Sequence, residues 1–387
     1  MSFLKKFFYT LFLLLWFSPI CVYATSNDES LPNLHAKSVV LMDGDTGRVL
    51  YGKEEETILP NASTTKILTC ILALEHTNLD DTVEVSKEAA SMPDVQLNIV
   101  SGEHYRLEDL LYSLMLESHN DSAVAIAQYI EKKTGISSFS DLMNEKAKSI
   151  GCTNTHFVTP NGLDGDSYVK GKGAHETTAK DLALIMRYCV TQSEKKDEFL
   201  TITRTASHSF TDIEKKRSFT VNNHNAYLSM DEDALSGKTG FTNKAGFCYV
   251  GAVKKGEKTF IVSLLACGWP PHKTYKWMDM KALIQYGNEH YEIKEFTTPK
   301  ENLPNLFVKN GKEQRVSLHV VNVPIRVLAK SEENLTFTWQ LANQTAPIQK
   351  GQQVGWMRYY LGDYRLAETP IVTDTSILQR KGWFGRE

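Results

Sequence analysis

The 387-residue chain lacks the sequence features of several common functional classes. No Cys/His cluster has the spacing of a zinc site, and no glycine-rich stretch has the pattern of a phosphate-binding loop. The formal net charge is only −3, so no broad basic surface for nucleic acid is expected. Internal repeats and long low-complexity segments are missing too. These absences argue against a zinc protein, a phosphate-loop protein and a nucleic-acid-binding protein.

Long apolar runs are also scarce, and the one at the N-terminus is short. Two lysines precede an apolar run over residues 7–17, which is shorter than an ordinary transmembrane helix. Val22-Tyr23-Ala24 follows as a small-x-small cleavage pattern. We expect residues 1–24 to be a signal peptide that directs export to the cell envelope, and the mature chain to begin at Thr25. An uncleaved membrane anchor is the alternative.

Cysteine is rare as well. The chain has six cysteines, and five remain once Cys21 is removed with the signal peptide. An odd number does not make a complete disulfide framework, and several of the five lie in apolar segments. We therefore expect buried free thiols in spite of the predicted export.

What the sequence does contain is a segregated order of strands and helices. A strand pair over residues 37–51 precedes a helical region that extends to about residue 190. Apolar strands follow between 240 and 269, and a helix over 278–291 closes the region. This order predicts an α+β fold, with an antiparallel sheet, helices packed on it and a helical subdomain.

The composition changes after this last helix, where short alternating runs predict a small all-β, β-sandwich-like domain. We therefore divide the mature chain into a larger domain over 25–294, a C-terminal domain over 295–376 and a short tail over 377–387. Trp383 and Phe384 lie among basic residues in this tail, which makes it a candidate for peripheral contact with a membrane.

The first candidate for chemistry is Ser63-Thr64-Thr65-Lys66, which leads into an apolar segment typical of a buried helix. Ser63 and Lys66 would share one face of the first helical turn. A lysine whose pKa is lowered by burial can take the proton from a nearby serine, which is otherwise a poor nucleophile. The same S-x-x-K pattern also occurs at residues 2–5 and 193–196, so it is weak on its own.

Two further motifs could complete such a site. Ser118-His119-Asn120 interrupts a helical region and offers a hydroxyl and an amide that can point into one cleft, unless they only cap the next helix. Lys238-Thr239-Gly240 offers a cation and a hydroxyl at the start of an apolar strand, where Gly240 lets a ligand approach the backbone. A second Lys-Thr-Gly at residues 133–135 ends a polar helix and needs no functional explanation.

Together, the three motifs resemble the set found in penicillin-binding proteins and class A β-lactamases. The neighbouring sequence narrows the likeness, because it resembles serine-type D-alanyl-D-alanine carboxypeptidases, the low-molecular-weight penicillin-binding proteins. The likeness extends over about residues 36–290, and it is carried by residues 41–47, 59–66, 118–121, 161–163, 177–181, 238–242 and 244–247. It implies a β-lactamase/transpeptidase-like fold there, followed by the C-terminal β domain that many members carry.

The resemblance also implies a mechanism and the role of each residue. Ser63 would attack the carbonyl of the penultimate D-alanine of a peptidoglycan stem peptide, with Lys66 as general base and Ser118 as proton relay to the leaving D-alanine. Backbone N–H groups of Ser63 and Phe241 would form the oxyanion hole. The remaining substrate contacts would come from Asn120, Lys238, Thr239 and Gly240. Neither a metal nor an organic cofactor is implied, and β-lactams would act as inhibitors.

Two alternatives remain open. A β-lactamase on the same scaffold would need a positioned acid for fast deacylation, for which Glu176 is the candidate. Glu176 ends the polar segment 159–176, which is either a functional loop or a disordered insertion. A non-catalytic cell-wall binding protein would be expected to have lost one of the reactive residues Ser63, Lys66 and Lys238.

One position departs from the family pattern. Many relatives carry an arginine before the closing helix that helps to hold the substrate carboxylate, and Lys276 is the nearest equivalent here. A lysine cannot make the same bidentate contact with a carboxylate. We therefore expect Lys276 to be a surface residue.

Overall fold

The computed structural model describes residues 33–93, 95–165, 171–297 and 303–381. The predicted signal peptide lies outside these ranges, as do residues 382–387 of the predicted tail. Within the described ranges, no helix combines the length and the apolar character that a membrane crossing needs.

Helices occupy the middle of the chain, apart from one long helix after the central strands. They are α1 (Lys66–His76), α2 (Lys87–Ala90), α3 (Leu107–Tyr112), α4 (Asn120–Thr134), α5 (Phe139–Ile150), α6 (Ala179–Arg187), α7 (Lys196–Arg204), α8 (Tyr227–Met230) and α9 (Tyr275–His290). A 3₁₀ turn precedes α1 at Ala62–Thr65, and π-helical turns follow α3 at Ser113–Glu117 and α6 at Tyr188–Gln192.

Strands flank the helical region and make up the described C-terminal part of the chain. They are β1 (Ser38–Asp43), β2 (Val49–Lys53), β3 (Thr82–Glu84), β4 (His104–Arg106), β5 (Ser207–Thr211), β6 (Ser218–Asn222), β7 (Ala234–Thr242), β8 (Gly246–Lys255), β9 (Lys258–Leu265), β10 (Glu292–Phe296), β11 (Leu306–Lys309), β12 (Arg315–Val316), β13 (Leu318–Val320), β14 (Ile325–Ala329), β15 (Leu335–Leu341), β16 (Gln344–Thr345), β17 (Gln353–Leu361) and β18 (Tyr364–Thr373).

A five-stranded antiparallel sheet forms the centre, in the order β2-β1-β9-β8-β7. One face packs on α1 and the helical block through a large core that includes Val40 and Ile71. The other face packs on α9 through a second core that includes Leu41 and Leu283. Val40 and Leu41 face opposite ways because side chains alternate along a strand. The predicted α+β class, with helices packed on an antiparallel sheet, is confirmed.

The position of α1 explains why the segment after Lys66 has no polar face. Every apolar residue from Ile67 to Leu74 is at most 4% exposed, because the helix lies between the sheet and the rest of the helical block. Each fully buried Leu or Ile stabilises the fold by about 1.5–3 kcal/mol. The cysteines of the described chain are all free and buried, as expected, including Cys70 within α1.

One part of the sheet differs from the prediction. The apolar stretch that opens with Lys238-Thr239-Gly240 is not a single strand but the hairpin of β7 and β8. Thr242 Oγ1 accepts the Ala245 N–H (3.0 Å) in the intervening turn, which a continuous apolar pattern does not reveal. The Lys-Thr-Gly motif therefore lies inside β7, an edge strand, rather than at its start. The sequence also did not predict the short, polar β5–β6 hairpin or α7.

The described residues beyond β10 form strands and no helix, which confirms the predicted all-β character of this part. Two of its sheets have the orders β12-β11-β16 and β13-β18-β17-β15, and they share a separate core that includes Val308, Met357 and Ile371. β10 crosses the predicted boundary at 294/295 and pairs with β14. The exact division between the domains stays a proposal.

Two side chains of the β1–β2 turn join the C-terminal domain to the central sheet. Buried Asp43 accepts a hydrogen bond from the Leu328 N–H (3.1 Å), while Arg48 donates to the Leu328 carbonyl oxygen (3.0 Å). Arg48 also pairs with both carboxylate oxygens of Glu333. The turn thus binds both backbone groups of Leu328 and one acidic side chain of the C-terminal domain.

We expect Arg48→Ala to weaken this docking. The change removes the charged pair with Glu333 and one partner of the Leu328 carbonyl, so the free energy of unfolding should fall by about 2 kcal/mol. Urea denaturation followed by circular dichroism measures the loss. Arg358→Ala is the control, because it removes an exposed pair with Glu368 and should change stability little. Equal losses in the two variants would contradict the docking role of Arg48.

Candidate active site

Ser63 lies on the 3₁₀ turn that precedes α1, which we call the nucleophile turn (Ala62–Thr65). Hydroxyl groups fix this turn, because Thr64 and Thr65 donate to the carbonyl oxygens of Asn61 (2.7 Å) and Ala62 (2.8 Å). The Asn61 side chain donates to both hydroxyls in return. Ala62 has φ +49°, a conformation that an L-residue adopts only where its surroundings impose it. Ser63 is therefore held rigidly at the start of α1.

Lys66 is fully buried, and its Nζ lies within hydrogen-bonding distance of three oxygen atoms. They are Ser63 Oγ (2.8 Å), Asn120 Oδ1 (2.9 Å) and the Asn161 main-chain oxygen (2.7 Å). A neutral amine has two N–H bonds and one lone pair, so it can donate to both asparagines while it accepts the Ser63 hydroxyl proton. Burial is the main cause that holds the pKa of Lys66 well below its usual value. Lys66 is thus placed to act as a general base.

Ser118 follows the π-helical turn and has the left-handed conformation, with φ +73°. Its Oγ is buried and makes no hydrogen bond to any described part of the chain. The alternative that Ser118 or Asn120 only caps α4 is not supported, because the N-cap residue is His119 and Ser118 Oγ bonds no N–H group of the described helix. Asn120 instead accepts from Lys66. A buried hydroxyl without a protein partner is rare, and here it is free to bond a substrate.

β7 brings the third motif against the nucleophile turn. A Cβ on Gly240 would lie 2.9 Å from the Asn61 carbonyl oxygen and 3.0 Å from the Ser63 nitrogen, so only glycine allows this approach. Thr239 is half-buried beside it, and the Phe241 side chain is 39% exposed. The backbone of β7 at Gly240 and Phe241 therefore borders the nucleophile.

Lys238 lies two residues before Gly240 and hence on the same face of β7. It is 2% exposed, and burial lowers its pKa to about 7. Its charge helps to lower the pKa of Lys66, after the larger effect of burial. The two lysines are therefore close enough to influence each other's protonation.

The third partner of Lys66 was not identified from the sequence. The Asn161 carbonyl oxygen comes from a loop that packs on the nucleophile turn so closely that a Cβ on Gly162 (φ +86°) would lie 2.0 Å from the Ala62 oxygen. Asn161-Gly162-Leu163 was among the segments that resemble the carboxypeptidases. A side-chain pattern cannot show that a main-chain oxygen serves a base, because every residue carries one.

His175 was missed as well. It is buried, and its Nδ1 accepts the backbone N–H groups of Val158 (3.1 Å) and Thr159 (3.3 Å). The neutral ring therefore carries its proton on Nε2, which donates to Thr65 Oγ1 (2.7 Å). Burial is the main reason that its pKa is lowered to about 3. His175 ties the loop over 158–163 to the nucleophile turn, and a single histidine in a polar segment gave no signal of this.

The expectation that Lys276 is a surface residue was wrong. It is 7% exposed because the first turn of α9 packs against the sheet. Its ammonium lies 4.8 Å from the ring centroid of Phe247 and 4.7 Å from that of Trp277, in a cation–π arrangement. It also donates to the Lys273 carbonyl. A local pattern does not show that two aromatic rings from different elements cover this lysine.

The arrangement has the parts that acyl transfer through a serine requires. A hydroxyl nucleophile contacts a buried amine, a second hydroxyl is unpaired, and a buried cation stands beside an edge strand. No three His, Cys, Asp or Glu side chains cluster as metal ligands in the described residues. The structure thus joins Ser63, Lys66 and Asn120 through hydrogen bonds and places Gly240 of β7 against the nucleophile turn.

Comparison with known proteins agrees with this chemistry. The sequence model of the D-alanyl-D-alanine carboxypeptidase family matches residues 25–267. A second model, described as the C-terminal domain of penicillin-binding protein 5, matches residues 291–379. The fold is similar to that of penicillin binding protein 5 from Haemophilus influenzae, with a TM-score of 0.69, 23% identity and coverage of 90% of this chain and 99% of that one. The predicted transpeptidase-like fold is therefore confirmed.

Individual relatives support the same family. The chain is 28% identical over 369 residues to the D-alanyl-D-alanine carboxypeptidase DacF of Bacillus subtilis. The aligned region covers 93% of this chain and 90% of the relative. It is 31% identical over 271 residues to a D-alanyl-D-alanine carboxypeptidase of Streptomyces sp. (strain K15). This alignment covers 66% of this chain and 88% of the relative. The chain therefore belongs to the family of D-alanyl-D-alanine carboxypeptidases, the low-molecular-weight penicillin-binding proteins.

Proposed function

We propose that this chain is a serine-type D-alanyl-D-alanine carboxypeptidase that removes the terminal D-alanine from peptidoglycan stem pentapeptides. The observation that carries the proposal is the contact of 2.8 Å between Ser63 Oγ and the buried Lys66 amine. Because Asn120 and Asn161 accept the two N–H groups of that amine, its lone pair is left for the serine proton. Family membership supports the same activity.

We place the substrate backbone along the open edge of β7. Among the described strands, β7 pairs with β8 alone in this sheet, so its other edge can pair with an extended peptide. The terminal carboxylate would reach the Lys238 ammonium and the Thr239 hydroxyl, which are natural partners for it. The scissile carbonyl would then face the backbone N–H groups of Ser63 and Phe241, which would stabilise the oxyanion. Gly240 permits this approach.

In the acylation step, Ser63 Oγ attacks the carbonyl carbon of the penultimate D-alanine while its proton moves to Lys66 Nζ. Ser118 Oγ gives its proton to the nitrogen of the departing D-alanine and regains one from Lys66. The buried, unpaired hydroxyl of Ser118 supports this relay role. Water then hydrolyses the acyl-enzyme, which releases the shortened stem peptide and restores Ser63.

A β-lactam would acylate the same serine, because its amide imitates the D-alanyl-D-alanine bond. Two observations weigh against the other candidate functions. Glu176, the acid that a β-lactamase would need, pairs through its backbone with His156, and it is His175 that reaches the nucleophile turn. A non-catalytic wall-binding protein would have no need for the retained trio of Ser63, Lys66 and Lys238.

We expect Ser63→Ala to abolish labelling by a fluorescent penicillin on a denaturing gel. It should also lower D-alanine release from a pentapeptide ending in D-Ala-D-Ala by at least about 10³-fold, since the nucleophile is gone. Ser193→Ala is the matched control, because Ser193 belongs to another S-x-x-K pattern and should label like the wild type. Labelling of Ser63→Ala would refute the assignment, and rapid penicillin turnover by the wild type would favour the β-lactamase.

The pH dependence of kcat/KM should be bell-shaped. Lys66 must be neutral to take a proton, so activity should rise as the pH passes its lowered pKa. Lys238 must be charged to hold the carboxylate, so activity should fall above its pKa of about 7 in the free enzyme. Lys238→Arg keeps the charge and should move the alkaline limb to higher pH. Lys133→Arg, in the other Lys-Thr-Gly triplet, should not, and an unmoved limb in Lys238→Arg would disprove the assignment.

We also propose that residues 1–24 are removed on export and that the enzyme acts in the cell envelope, where its substrate is found. N-terminal sequencing of protein isolated from cells should give Thr25 as the first residue, and a chain that keeps Met1 would contradict cleavage. Peripheral contact through the tail over 377–387 remains a prediction. If it is right, high salt should release the protein from the membrane fraction without detergent.

A further inference from the structure

Ser118 has no side-chain hydrogen bond that could hold it in place. Its Oγ is unpaired within the described chain, and its left-handed backbone (φ +73°) is costly for a residue other than glycine. A proton relay nevertheless has to be fixed to within a fraction of an ångström. The Ser118 backbone N–H bonds the Ser113 carbonyl oxygen, and the side chains on either side of Ser118 can add further constraint.

Glu117, directly before Ser118, contacts a different neighbour with each carboxylate oxygen. Oε1 accepts the backbone N–H of Asn222 on β6 (2.8 Å). Oε2 lies 3.3 Å from His119 Nε2, on the other side of Ser118. Because β6 packs beside the π-helical turn, Glu117 links the residue before the relay serine to a neighbouring strand.

His119, directly after Ser118, is 4% exposed, and each of its ring nitrogens lies close to a polar side chain. Its Nδ1 lies 2.8 Å from Ser113 Oγ, which in turn lies 2.7 Å from Ser122 Oγ. With a neutral ring the directions are consistent: Ser122 donates to Ser113, and Ser113 donates to Nδ1, which leaves the ring proton on Nε2, the nitrogen that faces Glu117. Burial favours this neutral ring, since it lowers the pKa of His119 more than nearby negative charges raise it.

We propose that Glu117 and His119 form a brace that positions Ser118 for proton relay. The two side chains approach each other to 3.3 Å, so the backbone from 117 to 119 and the Glu117–His119 contact form a closed loop that includes Ser118. This ring limits the backbone torsions of Ser118 without using its hydroxyl, which stays available to the substrate. The inference rests on the relay role proposed above.

The outer end of the brace is anchored in the fold. Ser113 begins the π-helical turn and Ser122 lies in the first turn of α4, so the His119 ring connects the two elements that meet at Ser118. Glycine or alanine at position 119 could make neither ring contact. His119 acts here as a positioning residue, because it touches Glu117 and Ser113 rather than the substrate.

A double-mutant cycle tests the brace. The acylation rate constant of Ser63 by a penicillin is measured for the wild type, His119→Ala, Ser118→Ala and the double variant. His119→Ala should slow acylation by about 10- to 100-fold with little change in the dissociation constant of the non-covalent complex. In the Ser118→Ala background, His119→Ala should lower the acylation rate constant by less than about twofold, because the hydroxyl that His119 positions is gone. A rate constant reports only folded molecules, so partial unfolding cannot produce this result.

Glu117→Gln is the second variant if His119→Ala does not fold. A single amide oxygen cannot accept from both Asn222 and His119, so a smaller slowing in the same direction is expected. His104→Ala, which removes the exposed pair with Glu214 (3.1 Å), is the control and should acylate normally.

Equal losses for His119→Ala in both backgrounds, or normal acylation by both brace variants, would overturn the brace and leave the proposed function intact. Ser118→Ala with a wild-type rate would instead overturn the relay role, and the brace with it.

Discussion

The burial of the Lys66 amine is the constraint on which the rest of the site depends. Desolvation disfavours the charged form of a lysine and holds the pKa of Lys66 well below its usual value, which suits the amine to act as a base. A buried amine without partners would nevertheless be strongly destabilising. Asn120 and Asn161 supply two acceptors and Ser63 completes the set. The reactive serine is thus one of the groups that make the buried amine tolerable.

The fold delivers these partners from segments that are distant in sequence. α1 carries the nucleophile between the sheet and the helical block, α4 begins at Asn120, and the loop around Asn161 closes the third side. Gly162 and Gly240 both lie against the nucleophile turn, one from the loop and one from β7. A side chain at either position would push one wall of the cleft away. Close backbone packing at these two glycines therefore sets the distances on which the chemistry depends.

The fold class and the motif residues could be predicted because they leave local signals. The apolar segment after Lys66 indicates a helix that is buried on all sides. The order of the three motifs distinguishes Ser63 from the serines of the other S-x-x-K patterns, at residues 2–5 and 193–196. Asn161 and His175 left no such signal, since one acts through a main-chain oxygen and the other through contacts made only after folding. Lys276 was misjudged for a similar reason, because one of the two rings that cover it, Phe247, belongs to β8 and is distant in sequence.

Lys66 and Lys238 show how one physical effect can give two opposite roles. Burial lowers both pKa values, and the charge of Lys238 lowers that of Lys66 further, so the pair favours one proton over two. Lys66 is surrounded by neutral acceptors, which serve an uncharged amine well. Lys238 stands beside the open edge of β7, where the end of a paired peptide can bring a carboxylate. In the proposed complex, the terminal carboxylate of the peptide supplies this anion. Under the proposed function, an internal peptide segment would leave the buried Lys238 ammonium without a counter-charge, so the same burial that suits Lys66 to be a base would make Lys238 select for a chain terminus.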